Sequence, residues 1–290
     1  MAIPMKVQSK HRLQAKAPVT RALYYIVCTV LALIFLFPIG WSILASLKPA
    51  SESMQSPATF LPSHISFENY TSILNTGIVN YLLNSGFVVI VTVVLTLVLS
   101  ILGGYGFSRF KFPGKDIIFM VILATMMIPF QSILTPLFLL LHSLGLQNTL
   151  LGLALVYTTF QLPFAIFMMR NSFDSVPKEL EEAGYIDGCS SVSVLYRVLI
   201  HVIFPGVVTV ALFAIFAAWN EFLAALIFMT DSDQYTMPVY LISAQSGQYG
   251  TVDWGAIQAG MTITILPCII VFLLLQRYYI NGLIAGAIKS

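Results

Sequence analysis

Apolar residues along this chain fall in long unbroken runs, and polar residues are gathered between them. Six runs stand out, at 22–46, 84–107, 117–138, 149–169, 203–229 and 256–276. A helix crossing a hydrocarbon core of about 30 Å needs about 20 residues at about 1.5 Å each, and every run meets that length. Glu221 is the one acidic, basic or histidine residue inside them. Backbone groups in lipid must be paired within their own segment, so runs this long and uncharged are helices and not strands. The pattern predicts an all-α polytopic membrane protein with six transmembrane helices. Composition agrees: 58% of residues are hydrophobic and 9% charged, against about 45–50% and about 25% in soluble chains.

The placement of basic residues gives the sidedness. Lys6, Lys10, Arg12, Lys16 and Arg21 precede the first run; Arg109, Lys111 and Lys115 lie between the second and third; Arg170, Lys178 and Arg197 between the fourth and fifth; Arg277 and Lys289 follow the sixth. The other three loops hold only Lys48. Both termini are therefore expected in the cytoplasm, with residues 1–21 a basic tail and 22–290 one membrane domain. The first run exceeds the about 7–15 residues of a signal-peptide core, so it reads as an anchor that is kept. Cys28, Cys189 and Cys268 are too scattered for a disulfide framework or a metal site. Asn69-Tyr70-Thr71, in an external loop expected between Lys48 and Asn80, matches a glycosylation acceptor, read here as chance.

The cytoplasmic loop 170–202 carries the most information. Ser175 and Pro177 fit a helix start, Glu179, Glu181 and Glu182 put negative charge in its first turns, and Gly188 fits a stop. Leu180, Ala183, Gly184 and Asp187 recur at three- and four-residue steps, giving a narrow side able to seat in a groove. A second helix is expected to start near Ser190 or Ser191 and run through Tyr196 and Arg197 into the fifth span. A solvated connector is the alternative.

Glu182-Ala183-Gly184, Asp187-Gly188, Val198 and Ile200 resemble the EAA motif of ABC importer permeases. Gly184 stands where that pattern has its second alanine, and His201 replaces its proline, with Pro205 four residues later. The stretches Tyr105–Gly114, Ile128-Pro129, Leu144–Thr149, Trp219–Phe222 and Gln276–Tyr279 extend the resemblance to the carbohydrate-uptake branch and its MalG-type subunit. The resemblance implies a MetI-like, MalG-like core in a bacterial or archaeal cytoplasmic membrane. It also implies a second, different permease chain, two ATPase subunits and an extracytoplasmic solute-binding protein as partners, besides membrane lipid and without nucleic acid. Leu180, Glu182, Ala183, Gly184, Asp187 and Gly188 would then couple to the ATPase. No Gly-rich phosphate loop ending in Gly-Lys-Ser or Gly-Lys-Thr is present, since Gly114-Lys115 is followed by Asp116. The chain is accordingly expected to be non-catalytic and to bind no cofactor or metal, with ATP and Mg on the partner ATPase.

Polar residues in the spans are the candidates for a sugar pathway: Tyr157, Thr158, Thr159 and Gln161 on the fourth, kinked by Pro163, and Asn220 and Glu221 on the fifth. On a continuous helix Glu221 would share a side with Ala214, Ala218 and Ala225, facing protein or water. A carboxylate tied to a neighbouring helix is the alternative. The external loop 230–255 holds Gln245, Gly247, Gln248 and Tyr249 where the MalG-type subunit contacts its binding protein. Rival functions are a glycerol-phosphate or other polyol importer of the same branch and a secondary transporter. A secondary transporter would be expected to show repeat symmetry and several buried acids.

Overall fold

The computed structural model describes residues 18–53, 59–245 and 252–287. Among these residues every regular element is helical. Helix α1 spans Pro18–Ser46, α2 Ala50–Ser53, α3 Glu68–Asn75, α4 Ile78–Arg109 and α5 Lys115–Ala124. Two single turns at Thr125–Met127 and Phe130–Ile133 lead to α6, Leu134–Ser143, and then α7, Leu150–Asp174. After α8, Glu179–Ile186, come α9, Ser191–Val194, a π turn at Leu195–Leu199, and α10, Ile200–Val202. Helix α11 is Phe204–Asn220, α12 Leu223–Phe228, α13 Met237–Gln245 and α14 Trp254–Ala287.

Four helices are long and apolar enough to cross a bilayer: Thr20–Ser46, Ile78–Arg109, Leu150–Asp174 and Trp254–Arg277. Two more candidates are bent pairs, Lys115–Met127 with Phe130–Ser143 at 97° and Ser191–Val202 with Phe204–Asn220 at 79°. The helix is thus broken within the expected span 117–138. At its break Ile128 (φ −79°, ψ 118°) and Pro129 (φ −60°, ψ 129°) are both extended, the conformation that a proline ring favours in the residue before it. Pro38, Pro163 and Pro267, in contrast, are carried inside continuous helices. Within the expected span 203–229 the helix also breaks, stopping at Asn220 and resuming at Leu223.

Helix α4 is patterned inside out relative to a soluble helix. Ser85, Thr92, Thr96, Ser100 and Gly104 are buried, while Leu83, Phe87, Ile90, Val94, Val98 and Leu102 are exposed. Lipid is as apolar as leucine, so helices in it associate through small residues that let backbones approach. The buried stripe packs on α7. Thr92 Oγ1 donates to the Ala154 carbonyl at 3.3 Å, and Ser108 Oγ donates to Asp174 Oδ1 at 2.5 Å. With position 92 opposite 154 and 108 opposite 174, α4 and α7 run parallel, and α5 and α6 supply the return. At Gly104 the crossing is tightest, since a Cβ there would lie 2.6 Å from Met169 Cβ and 2.8 Å from the Arg170 nitrogen.

Three apolar clusters hold the bundle. One joins α4, α7, α11 and α12 around Leu153, Ala154, Ala224 and Phe228, and one lies beneath α8 to α10 around Met169, Phe173, Val194 and Leu199. The third ties α3, α13 and α14 through Ile73, Met237 and Ala259. Helix α1 leans on α14 and is exposed along most of its length. Its last turn is fastened: Asn69 Nδ2 donates to the carbonyls of Ser46 (3.0 Å) and Lys48 (2.7 Å). Asn69 is 0% exposed, so the amide that a glycosyl transfer would need is already engaged inside the protein.

Candidate functional site

The segment after α7 folds as a helical hairpin. Ser175 closes α7 instead of opening the next helix, and α8 begins at Glu179 with Lys178 before it. No side chain caps α8, but Glu179, Glu181 and Glu182 sit in its first turn, where the unpaired N–H groups favour negative charge. Its other end is closed by backbone. The Cys189 N–H donates to the Gly184 carbonyl and the Gly188 N–H to the Tyr185 carbonyl, both at 3.0 Å. That pair of bonds places Gly188 at the left-handed position, and its φ is +80°. Ser190 then caps α9, its Oγ accepting from the Ser193 N–H at 3.3 Å.

The expected narrow side of α8 divides into two. Gly184 turns inward, where a Cβ would lie 2.9 Å from Val194 Cγ2, so its small size serves the contact between the two arms. Leu180, Glu182, Ala183, Asp187 and Gly188 are exposed, joined at the tip by Ile186 at 86% exposure. The exposed side therefore carries an apolar tip flanked by carboxylates. One acid is withdrawn from this surface: Glu181 points into the protein and pairs with Arg109 at the end of α4, each side chain being 8% exposed. Arg109 Nη2 also donates to the Val176 carbonyl at 2.9 Å and Nη1 to Ser108 Oγ at 3.2 Å. Beside it Arg170 reaches Asp174 at 3.6 Å and Asp116 at 3.9 Å and lies 4.1 Å from the Phe119 ring centre.

The second arm starts at Ser191, within the expected position, but does not run straight into the fifth span. A π turn at Leu195–Leu199 is followed by the bend at Ile203 (φ −86°, ψ 5°). Pro205 occupies the first turn of α11, where its missing N–H costs nothing. The turn into the bundle is thus made by Ile203 and Pro205, and His201 lies exposed before it. Gly206 permits the re-entry to pass close to α7, since a Cβ there would lie 2.2 Å from Ser172 Oγ.

Of the pathway candidates, the structure brings Tyr157 and Glu221 together. The Tyr157 hydroxyl donates to Glu221 Oε2 at 2.5 Å, while the Ala224 and Ala225 N–H groups donate to the same carboxylate at 2.9–3.2 Å. The Glu221 carboxylate consequently caps the start of α12 from the residue before its N-cap Phe222, with Glu221 extended at φ −70° and ψ 128°, and it is not one residue of a continuous alanine-lined face. Thr158 and Thr159 donate to their own helix, at Ala154 (2.8 Å) and Leu155 (2.9 Å). Asn220 does likewise toward Phe216 at 2.8 Å but is exposed, and Gln161 is half-buried. Losing a helix cap costs about 1 kcal/mol, and hydrogen bonds to charged groups add about 1.5–3 kcal/mol. Glu221→Ala is therefore expected to lower the thermal midpoint of the purified protein clearly more than Tyr157→Phe, as a melting curve in detergent would show.

At the end opposite the hairpin, Gln245 is the last residue of α13, while Gly247, Gln248 and Tyr249 lie outside the described residues. Asn148 organises this end although sequence reasoning gave it no role. It adopts φ 54°, accepts from the Thr230 and Asp231 N–H groups at 2.9 and 3.2 Å, and donates to Asp231 Oδ2 at 2.7 Å. A residue after Gly145 that is itself competent for the left-handed region was the available signal.

Residues 96–284, more than half of the chain, match the family described as binding-protein-dependent transport system inner membrane component. The chain is 37% identical over 88% of its length, and 84% of the relative's, to the probable ABC transporter permease protein YurM of Bacillus subtilis. It is 34% identical over 93% of its length, and 97% of the relative's, to the trehalose/maltose transport system permease protein MalG of Thermococcus litoralis. A bacterial ABC transporter of known structure, involved in import of the acidic polysaccharide alginate, has a chain with the same fold at a TM-score of 0.77 and 24% identity, covering 90% of this chain and 96% of that one. With an all-helical bundle, long apolar spans and a capped hairpin at one end, the chain belongs to the family of binding-protein-dependent transport system inner membrane components.

Proposed function

We propose that this chain forms half of the translocation pathway of a binding-protein-dependent sugar importer and receives energy from a separate ATPase through α8. The observation that carries this reading is the build of α8: closed at its C-terminal end by backbone bonds, seated on a buried core, and presenting Ile186 and Leu180 outward among Glu182 and Asp187. A solvated connector has no need of an 86% exposed isoleucine at its tip. The basic residues place this hairpin on the cytoplasmic side, where an ATPase with a lightly basic, apolar cleft would accept it. ATP and Mg act on that subunit. A second permease chain completes the pathway, and an extracytoplasmic binding protein delivers the solute at the end containing Asn148, Asp231 and Gln245.

The trehalose/maltose relative supports a sugar cargo. Tyr157, Thr158, Gln161, Asn220 and Glu221 lie along the α7 and α11 side of the chain, and Asn220 is the exposed amide among them. Closure of the ATPase pair would drive α8 as a lever and turn the bundle from inward- to outward-facing. Full reversal of such a two-state pore, from 1:99 to 99:1, takes about 5.5 kcal/mol of differential binding.

A cysteine at Ile186 in the assembled complex is expected to cross-link to a cysteine lining the ATPase cleft. Glu182→Lys should abolish uptake while leaving the subunit in the membrane. Uptake within twofold of the parent for Glu182→Lys, with no cross-link from position 186, would falsify the docking reading.

A further inference from the structure

Resting on the docking reading above, we propose that Arg109 is a positioning residue for energy coupling, one that locks the first arm of the hairpin to α4. All three guanidinium nitrogens are used: Nε on Glu181, Nη2 on the Val176 carbonyl at 2.9 Å and Nη1 on Ser108 Oγ at 3.2 Å. Val176 lies just before α8 and Glu181 in its first turn, so one side chain on α4 holds α8 at two points. The lock continues into α7, because Ser108 Oγ donates to Asp174 Oδ1 at 2.5 Å. Every group in it lies at the end of a helix that continues through the bundle or at the start of α8.

The second arm is built differently. It contains the π turn at Leu195–Leu199 and the 79° bend at Ile203, and Val194, Leu195, Leu199 and Ile203 bury it in the apolar cluster with Met169 and Phe173. A force on Ile186 therefore reaches α4 and α7 through the ion pair, whereas the second arm is held by apolar packing.

Burying a charge pair is a poor way to gain stability, since desolvation cancels much of the attraction. Its distinctive property is geometry: a planar fork fixes two acceptors at once, which a lysine ammonium cannot reproduce. Arg109→Lys keeps the charge and is expected to lose the coupling.

The test uses the whole importer, with both permeases, the ATPase and the binding protein, in lipid vesicles, reading solute taken up per ATP hydrolysed. Arg109→Lys, Arg109→Gln and Glu181→Gln are each expected to lower that ratio about tenfold, within the about 5–150-fold span of ordinary coupling free energies. Assembly and ATP hydrolysis should change far less. Combining Arg109→Gln with Glu181→Gln should cost little more than either alone, because the two residues act as one unit. The Ile186 cross-link is measured in the same preparations. With the cross-link present, an unchanged ratio in all three single variants overturns the role of Arg109 alone. Additive losses in the double variant, or loss of assembly matching loss of uptake, also overturn it, since the pair would then be structural only. Absence of the cross-link in the parent complex overturns the docking reading and the coupling role with it.

Discussion

Gly104→Leu is expected to yield almost no assembled transporter, and even Gly104→Ala should lower the thermal midpoint measurably. The Cβ of any side chain at this position would lie 2.6 Å from Met169 Cβ and within 2.8–2.9 Å of the Arg170 nitrogen and Met169 carbonyl carbon. Two of those three atoms are backbone, so no rotamer change relieves the clash; α4 and α7 must separate. Overpacking in a close-packed interior costs about 1–3 kcal/mol even when side chains can give way, and here they cannot. Separation would also open the Ser108–Asp174 bond, within five residues of the crossing, and pull on the Arg109 lock next to it. Gly103 and Gly106 are the controls. A Cβ at Gly103 meets the flexible Ile166 side chain at 3.3 Å and one at Gly106 meets nothing within 4 Å. Gly106→Ala should even stabilise the helix, by up to about 1 kcal/mol. Melting curves and complex yield for the three alanine variants decide the matter; equal midpoints would show that the crossing is looser than described.

The second large effect is at Gly188, and its cause is different. A Cβ there meets nothing within 4 Å, yet φ is +80°. The expected penalty for Gly188→Val is conformational, about 1–3 kcal/mol for holding a β-branched residue in the left-handed region. It falls on a one-residue stop that sets the angle between α8 and α9. Uptake is expected to be lost while the thermal midpoint moves little, because the bundle clusters do not include Gly188. Gly188→Asn should keep most uptake, since asparagine enters this region readily. Equal uptake by the valine and asparagine variants would remove backbone strain as the explanation.

That the chain folds as long apolar helices was legible, because length and apolarity decide it. What could not be read was where they break. Pro129 interrupts its span, whereas Pro38, Pro163 and Pro267 do not; Pro129 follows the β-branched Ile128, while the other three follow Phe37, Leu162 and Leu266. Glu221 carried a legible signal that a continuous-helix reading set aside: a single carboxylate in an apolar run is well suited to capping a new helix. The hairpin's stop at Gly188 was read to the residue, because a left-handed glycine is a local signal, whereas Ser175, read as a start, closes α7. The inward turn of Gly184 was not legible, since it depends on Val194 arriving from the second arm. Arg109 entered the sequence reading only as one more basic charge near a span. Charge counting reports sidedness and is blind to an ion pair between residues 72 positions apart.

Helix α1 bears on how such a chain tolerates change. None of its described side chains belongs to the three apolar clusters, and its most apolar window is 0% buried. It is held near its end, where Asn69 grips the Ser46 and Lys48 carbonyls and Ser42 Oγ donates to Gln258 Oε1 on α14 at 2.9 Å. Upstream of Ser42, exchanging one apolar residue for another leaves the three clusters as they were. Drift and novelty can therefore accumulate at the periphery of this subunit without disturbing its centre.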